Sequence, residues 1–441
     1  MKNIPAAVLM VERMRSLIAE PCFLLRHRLN NKVFTRRRHL SFDVVVALIL
    51  QKTLKSIQLH LREFFAILGG GAHTVTAGAW TQARAKLRHT AFIELNKVAV
   101  IGTFYGNEDQ PVELWHGHRL LAIDSSTLRL PNTAAVFEHF GGQVAAKSGV
   151  RVPHARLSVL HDCLNRIGID AVLGGFRQGE LSLALSHLEQ LRPGDVVLAD
   201  RGYAGYLFLA RLSARGAHFI VRCPLSSFAG ADTLYKRARD GASLVVNLPA
   251  TPACRAQARA EGAPLELKVR FVSVRLPTGQ LEVLVSSLLD EEAFPARMFL
   301  EAYGRRWSIE TYYHQLKSTL ELENFSGQSV EAVLQDIHAA VFLSNLESVV
   351  SREASRGLPK AGEGGRLHGM KINKAVSFHA LKSRVIDLLL GADPPQMVIN
   401  ELRALFLANP ISLRPHRNPP RIPPSPLRSL NFQKRVRKIV F

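Results

Sequence analysis

The sequence predicts a mixed α/β fold, in which a mixed β-sheet is flanked by helices and an α-helical N-terminal domain comes first. Residues 118–225 show strand-like runs and then alternating helix and strand, which is typical of a sheet covered by helices. Residues 226–299 are β-rich, and residues 1–110 show helical periodicity. The chain of 441 residues is long enough for several such modules.

Two helices are predicted in the N-terminal region. The first covers 42–68, with Ser41 as its N-cap and Gly69 at its end. The second covers 77–100 and is basic, and two helices around a glycine-rich turn suit a DNA-reading unit. A plain helical bundle with a solvated face explains the same spacing equally well. The candidate DNA contacts on the second helix are Arg84, Lys86 and Arg88.

The later elements follow from apolar runs bounded by turn-forming residues. The predicted core strands are 118–130, 154–164, 168–176, 195–200 and 217–223, with helices over 180–191 and 206–216. The strands of the β-rich stretch are 244–249, 265–276 and 281–290. Helices are predicted again over 303–317, 329–352 and 373–408, before a basic, proline-rich tail that starts at Arg414.

The charge of the chain points to a polyanionic partner. Lys and Arg number 57 against 36 Asp and Glu, which gives a net charge of +21. Residues 1–40 contain nine Lys or Arg and two acids, and residues 411–441 contain eight Lys or Arg and no acid. An excess of this size, present at both ends, favours binding to nucleic acid.

Membrane, zinc and nucleotide-binding functions are not expected. The longest purely apolar run, Val44–Leu50, is too short to span a bilayer. No signal-like segment develops at the N-terminus, so a cytoplasmic protein is expected. The four cysteines lack metal-ligand spacing, and the sequence contains no glycine-rich loop of the kind that cradles nucleotide phosphates.

Four residues form a Y-x2-R-x3-E-x6-K pattern: Tyr303, Arg306, Glu310 and Lys317. On one continuous helix they fall within a narrow stripe about 21 Å long, so an acid lies between two cations and a phenol. A solvated salt-bridge face is the ordinary explanation of such a stripe. Trp307 lies beside the stripe, where stacking on DNA is one interpretation and core packing is the one predicted.

Two aspartates follow apolar, strand-like runs. Asp124 follows LLAI and Asp200 follows VVLA, so both are predicted at or near the end of a strand of one sheet. A turn or cap explains either one alone. Together with Glu310 they form a set of hard oxygen ligands suited to Mg²⁺, and two metal ions held in this way support in-line phosphoryl transfer on DNA.

Three motifs resemble bacterial DDE transposases of the insertion-sequence type-four group. They are DSSTLRLP at 124–131, DRGY at 200–203 and the full Y-x2-R-x3-E-x6-K pattern, in order within about residues 41 to 390. The resemblance implies a ribonuclease-H-like catalytic core with a β-strand insertion. It implies that Asp124, Asp200 and Glu310 are the catalytic metal ligands. It also implies that Tyr303, Arg306 and Lys317 grip DNA phosphates.

The predicted organisation has four parts. They are a helical DNA-binding domain (1–110), a catalytic core (111–225 and 300–350), a β-rich insertion (226–299) and a helical C-terminal region with a basic tail (351–441).

The function implied by the resemblance is DNA transposition by a bacterial, nucleoid-associated enzyme. Such an enzyme binds the terminal inverted repeats of its insertion sequence as double-stranded DNA. It cleaves them and transfers the cut strand to target DNA, using two Mg²⁺ ions per active site, with Mn²⁺ as the alternative ion. A homodimer assembled on DNA is expected, because two ends are processed together. Two alternatives stay open: a structure-specific nuclease on the same fold, and a catalytically silent DNA-binding relative.

Overall fold

The computed structural model describes residues 4–36, 38–53, 55–69, 75–107, 112–144, 149–363 and 367–414. Its α-helices are α1 (Ala6–Ala19), α2 (Pro21–His27), α3 (Phe42–Leu50), α4 (Ile57–Ile67), α5 (Ala77–Arg84), α6 (Thr90–Glu94), α7 (Thr103–Gly106), α8 (Ala134–Phe140), α9 (Glu180–Leu185), α10 (Tyr206–Ala214), α11 (Ala229–Arg237), α12 (Pro252–Ala260), α13 (Ala296–Arg305), α14 (Trp307–His314), α15 (Val330–Ser355), α16 (Lys374–Ser383), α17 (Val385–Leu389) and α18 (Pro395–Ala408). Its β-strands are β1 (Leu120–Arg129), β2 (Gly142–Val144), β3 (Arg151–Asp162), β4 (Ile167–Gly175), β5 (Val196–Ala199), β6 (His218–Cys223), β7 (Ser243–Pro249), β8 (Glu266–Arg275), β9 (Leu281–Ser286), β10 (Met370–Ile372) and β11 (Pro410–Ser412). Within these ranges every helix is too short or too polar to traverse a lipid bilayer. The predicted basic tail lies outside the described residues from position 415 onward.

The chain divides into two compact units. The first comprises Met1–Pro111, Leu128–Ala155 and Gln315–Phe441. The second comprises Val112–Thr127 and Arg156–His314. This division does not test the predicted four-part organisation, which stays a prediction.

The second unit is built on a mixed β-sheet. Strands β3, β1, β5, β6, β9, β8 and β7 lie side by side in this order, and β4 pairs with β3. β1, β5 and β6 are parallel, whereas β9, β8 and β7 join them by antiparallel pairing. Every side chain of β5 is buried, as is usual for a central parallel strand covered on both faces. Helix α10 packs against β6 and α11 against β8 and β9, so the predicted sheet flanked by helices is confirmed.

The β-rich stretch within 226–299 extends this same sheet. Its strands β7, β8 and β9 match the predicted ones, and β9 pairs with β6 through Val285 and Val221. The stretch also contains two helices that were not predicted, α11 and α12. For α12 a signal was present, because PACRAQARA places proline at the helix start before alanine and arginine, which favour helix.

Helix α15 forms the centre of the first unit, and α1, α3, α6, α16 and α18 pack against it. Its buried side chains include polar ones, such as Asn345 and Asp336. Buried polar groups are stable only when they are hydrogen-bonded. Asn345 donates to the side chain of Asn96 at 2.7 Å, and Asp336 pairs with Arg84 at 2.7 Å.

The first predicted N-terminal helix, over 42–68, is wrong as a single helix. It divides into α3 and α4. Ser56 starts the second piece, because its hydroxyl accepts a hydrogen bond from the N–H of Leu59 at 3.3 Å. A serine N-cap of this kind competes with continuation of the preceding helix.

The second predicted helix, over 77–100, is also interrupted. It divides into α5, α6 and a π-helical segment over Leu95–Gly102. The backbone between α5 and α6 pairs with a distant segment instead. Leu29 donates to the carbonyl of Lys86, and Arg88 donates to that of His27, both at 2.8 Å. Tertiary hydrogen bonds here replace helical ones.

Candidate active site

The three acids singled out in the sequence all belong to the second unit. Asp124 lies inside β1 rather than at its end, Asp200 follows the last residue of β5, and Glu310 lies in α14. The parallel register pairs Ala122 with Leu198. Continued by two residues, this register brings Asp124 of β1 level with Asp200, just after β5, and neighbouring strands are about 4.8 Å apart. The sheet brings together two aspartates that are distant in sequence.

The helix that carries Glu310 is not continuous. The predicted uninterrupted helix over 303–317 is wrong, because α13 and α14 meet at Arg306 and a π-helical segment covers Gln315–Thr319. The N–H of Arg306 bonds to the carbonyl of Tyr303 at 3.0 Å, a three-residue spacing that tightens the end of α13. Arg306 thus lies at the junction, about one turn before Glu310.

Arg306 links two of the acids. Its guanidinium lies 3.7 Å from the carboxylate of Asp124 and 3.3 Å from that of Glu310. The side chain is only 8% exposed, so these charges interact more strongly than they would in water. Although burial lowers the pKa of Arg306, the neighbouring phenol of Tyr303 and the carboxylates raise it overall.

Asp124 has a raised pKa, mainly because it is buried. Its pKa is about 6; the Ser125 N–H and Arg306 oppose the shift, and the charges of Asp200 and Glu310 add to it. The three carboxylates are therefore close enough to influence one another. Carboxylates clustered in this way favour a bound cation.

The DRGY motif positions the second acid. The carboxylate of Asp200 accepts a hydrogen bond from the N–H of Gly202 at 2.8 Å and so caps a short 3-10 turn. A Cβ at Gly202 would lie 3.1 Å from that carboxylate oxygen, closer than most side chains pack. Tyr203 is buried behind the turn, where burial and then the charge of Asp124 raise its pKa.

Tyr303 accompanies Arg306, whereas Lys317 belongs to the other unit. The guanidinium of Arg306 lies 5.6 Å from the ring centre of Tyr303, and burial raises the pKa of this phenol although Arg306 opposes the shift. Lys317 is half-buried in the first unit, where burial lowers its pKa and Glu323 opposes the shift. A shared task for Lys317 and the acids stays a prediction.

A family comparison identifies the chain. The family model described as "Transposase DDE domain" matches residues 115–346, slightly more than half of the chain. The chain belongs to the DDE transposase family. The resemblance predicted from the sequence is thereby confirmed, and the mixed sheet is consistent with the ribonuclease-H-like core that this family implies.

Two relatives are transposases of insertion sequences. The chain is 25% identical over 319 residues to "Transposase InsG for insertion sequence element IS4" of Escherichia coli (strain K12), covering 71% of this chain and 70% of the relative. It is 25% identical over 215 residues to "Putative transposase InsZ" of the same strain, covering 48% and 70%. Both similarities agree with membership of the DDE transposase family.

Among solved structures, the piggyBac transposase synaptic complex with hairpin DNA aligns over 92% of this chain and 86% of that chain. Its TM-score of 0.45 and identity of 10% are too low to carry an argument about this transposase.

DDE transposases use divalent metal ions, and the three acids of this transposase offer suitable oxygen ligands. Among the residues that the structure describes, no group of three or more His, Cys, Asp or Glu side chains is spaced to hold a metal ion. The assignment of Asp124, Asp200 and Glu310 as the metal ligands therefore stays a prediction.

One predicted N-terminal DNA contact is buried. Arg84 is 4% exposed, pairs with Asp336 at 2.7 Å and bonds to the side chain of Gln335 at 2.7 Å. It is not available to DNA, because its face of α5 packs inward, which spacing alone does not show. Lys86 is half-buried and Arg88 is exposed, and their contacts with DNA stay predictions.

Trp307 is exposed, so the predicted core packing is wrong. Half of its surface, 50%, is accessible, and its ring lies 5.1 Å from the guanidinium of Arg306. The exposed face of an aromatic ring can stack on a nucleic-acid base.

Sequence reasoning missed a further cation near the acids. The parallel register pairs Ala199 with Val221, so Arg222 of β6 lies level with Asp200. Arg222 holds both oxygens of Glu282, at 2.6 and 2.5 Å. No sequence motif includes Arg222. Its position beside Asp200 follows from the pairing of β5 with β6, which cannot be read from the sequence.

Proposed function

We propose that this transposase cuts DNA at the ends of its own element and joins the freed 3′ ends to target DNA, with Asp124, Asp200 and Glu310 as ligands of Mg²⁺. One observation carries the proposal: Arg306 contacts both Asp124 and Glu310 within one unit, and the charges of Asp200 and Glu310 add to the burial that raises the pKa of Asp124 to about 6. Carboxylates held together against their mutual repulsion suit a divalent ion.

The donor set fits a hard divalent cation, because all three candidate ligands offer carboxylate oxygens. Two ions per site, with Mn²⁺ as the alternative to Mg²⁺, are part of the proposal. When bound, such ions activate the attacking oxygen and stabilise the leaving oxygen of an in-line displacement. The chain itself orients the ligands through the Gly202 N–H at Asp200 and the Ser125 N–H at Asp124.

Arg306 has two tasks in this proposal. It balances Asp124 and Glu310 within the protein, and its planar guanidinium suits a phosphate oxygen pair of the bound strand. Tyr303 supports its position by lying under the guanidinium. Lys317 contributes a further cation for the DNA backbone.

The substrate in this proposal is double-stranded DNA that carries the terminal inverted repeats, together with target DNA. Water attacks the phosphodiester at the element end, and the freed 3′-hydroxyl then attacks a target phosphodiester by the same chemistry. Joining two ends in one event requires two active sites, so a homodimer assembled on DNA completes the proposal. The net charge of +21 supports salt-sensitive binding to DNA.

Incubation with pre-cut terminal-repeat DNA and a supercoiled target plasmid in Mg²⁺ separates transposase from the alternatives. The proposal predicts joined products with wild-type protein and none with Glu310→Gln. Cleavage of intact ends without joining of pre-cut ends would favour a structure-specific nuclease. Specific DNA binding with neither product would favour a catalytically silent DNA-binding protein.

A further inference from the structure

We propose that Tyr313 is a positioning residue that fixes Asp124 relative to Glu310 and so sets the spacing of the metal ligands. The inference rests on the proposed function. Tyr313 lies in α14, three residues after Glu310, on the adjacent part of the helix surface. Its side chain is buried, whereas that of Glu310 is half-exposed.

The hydroxyl of Tyr313 ties α14 to the sheet. It lies 2.8 Å from the carbonyl oxygen of Asp124 and 3.0 Å from that of Leu157. These carbonyls belong to the neighbouring strands β1 and β3. A phenol has one proton, so it donates to one carbonyl at a time and holds the helix at the gap between the strands.

This contact reaches the carboxylate of Asp124 through one peptide unit. The carbonyl that accepts from Tyr313 and the N–H of Ser125 belong to the same planar peptide. That N–H donates to the Asp124 carboxylate at 2.8 Å. The hydrogen bond from Tyr313 to this carbonyl therefore also restrains the N–H of Ser125. Through that N–H it restrains the carboxylate of Asp124.

Arg306, just before α14, and Tyr313, within it, both contact Asp124, and the two contacts differ in character. Arg306 makes an ionic contact of 3.7 Å, which a phosphate or a metal charge would weaken by competition. Tyr313 makes a neutral, buried hydrogen bond of 2.8 Å. The contact made by Tyr313 persists when charged groups enter the site, so it maintains the distance between the two ligands during the reaction.

The hydroxyl of Ser158 offers a second, longer hydrogen bond to the same Asp124 carbonyl, at 3.4 Å. Ser158 is itself held by His187 at 3.0 Å, and His187 by Asp170 at 2.7 Å. Because the bond from Ser158 is longer, its contribution is smaller than that of Tyr313.

The difference between Mg²⁺ and Ca²⁺ affinity shows whether Tyr313 fixes the spacing of the ligands. Mg²⁺ requires near-ideal octahedral geometry at about 2.0–2.1 Å, whereas Ca²⁺ accepts variable geometry at about 2.3–2.6 Å. Tyr313→Phe removes only the hydroxyl and keeps the buried ring. Loss of a group that orients a metal ligand lowers affinity by about 10- to 100-fold. We expect a loss of about tenfold for Mg²⁺ and a clearly smaller loss for Ca²⁺.

The test is calorimetric titration of the EDTA-treated full-length protein with MgCl2 and with CaCl2. Tyr312→Phe is the matched control, because it removes a neighbouring buried hydroxyl whose ring packs on His161, 4.7 Å away. The inference predicts selective loss of Mg²⁺ binding in Tyr313→Phe and unchanged binding in Tyr312→Phe. Unchanged Mg²⁺ binding in Tyr313→Phe, or an equal loss of both ions, would overturn it.

Two further measurements keep the outcomes separate. If Tyr313→Phe fails to fold by circular dichroism, it is refolded and titrated in sucrose, which stabilises folded proteins, beside the wild type in sucrose; unchanged Mg²⁺ affinity, or an equal loss of both ions, overturns the inference there as well. Asp124→Asn tests the proposed function itself. Failure of the wild type to bind Mg²⁺, or wild-type binding in Asp124→Asn, rejects the metal site. If the wild type binds Mg²⁺, Asp124→Asn does not, and Tyr313→Phe binds Mg²⁺ as the wild type does, only the role of Tyr313 is rejected.

Discussion

The guanidinium of Arg306 lies 3.7 Å from the carboxylate of Asp124, at the point where α13 and α14 meet. This pair joins a strand of the sheet to the helix pair within one compact unit. It explains why the arginine of the Y-x2-R-x3-E-x6-K pattern comes four residues before the glutamate. From this position the side chain reaches both Glu310 and Asp124.

The pKa of Asp124 predicts how metal binding depends on pH. Because this pKa is raised from 3.8 to about 6, the carboxyl is protonated below pH 6 and competes with the metal for its own oxygens. Mn²⁺ affinity should fall by about tenfold per pH unit below pH 6. Calorimetric titration with Mn²⁺ at several values between about pH 4.5 and 8, on both sides of the predicted midpoint, measures how the affinity depends on pH.

Two observations would check the cause of this pH dependence. Arg306→Gln removes a cation that lowers the pKa of Asp124, so the midpoint should move upward. Without metal, the folded protein retains a proton between pH 3.8 and about 6 that the unfolded chain releases, so stability should decline as pH rises through that range. A binding midpoint near pH 4 in the wild type would contradict the account.

Arg84 and Arg88 should behave differently when each is replaced by methionine. Arg84→Met removes the closest cation from the buried carboxylate of Asp336 and leaves it with Ser326 and, at 3.8 Å, Lys52; loss of a buried ionic partner destabilises by about 3–5 kcal/mol. Arg88 is exposed, so Arg88→Met should change stability by less than about 0.5 kcal/mol. Urea unfolding followed by circular dichroism compares them.

The DNA affinities of these variants complete the comparison. Arg88→Met should reduce the slope of log affinity against log salt by about one, as expected for one lost phosphate contact. An Arg84→Met protein as stable as the wild type would contradict the structural role of Arg84. An Arg88→Met protein whose DNA affinity depends on salt as that of the wild type does would contradict a phosphate contact by Arg88.

Trp307→Ala should weaken DNA processing while the fold is retained. The indole is 50% exposed, so its removal leaves no large cavity. Stacking of one base on an aromatic ring contributes about 1–3 kcal/mol, which corresponds to a loss of about 5- to 150-fold in affinity for the cleaved strand. Fluorescence of 2-aminopurine at the element end reports the stacking directly, and Trp307→Phe should retain part of the signal. An unchanged signal in Trp307→Ala would reject a stacking role.

Much of the sheet was predictable because its strands carry their own signal. The run before Asp200 is wholly apolar, which is typical of a buried parallel strand, and the structure contains β5 there. Asp124 and Asp200 could be singled out as candidate site residues for the same reason, because each directly follows such an apolar run. Their level register could not be read from the sequence, because pairing between β1 and β5 depends on tertiary contacts.

The errors also have physical causes. Helical periodicity continued through Ser56 and Arg306, but a local cap and a tightened turn end the helices there. Arg84 looked like a surface cation because its partner Asp336 is distant in sequence. Trp307 looked like a core residue because a large aromatic side chain is usually buried. Each outcome depends on a contact that local patterns do not encode.

If Asp124, Asp200 and Glu310 form one metal-dependent catalytic site, the loss of any one of them must stop the reaction. The decisive measurement is the rate of Mg²⁺-dependent cleavage of terminal-repeat DNA by Asp124→Asn, Asp200→Asn and Glu310→Gln, with DNA affinity measured in parallel. We expect each variant to lose at least about a hundredfold in cleavage rate, because a metal ligand is lost, and to bind DNA within about twofold of the wild type. Cleavage at the wild-type rate by any one of the three variants would show that these acids do not form one site.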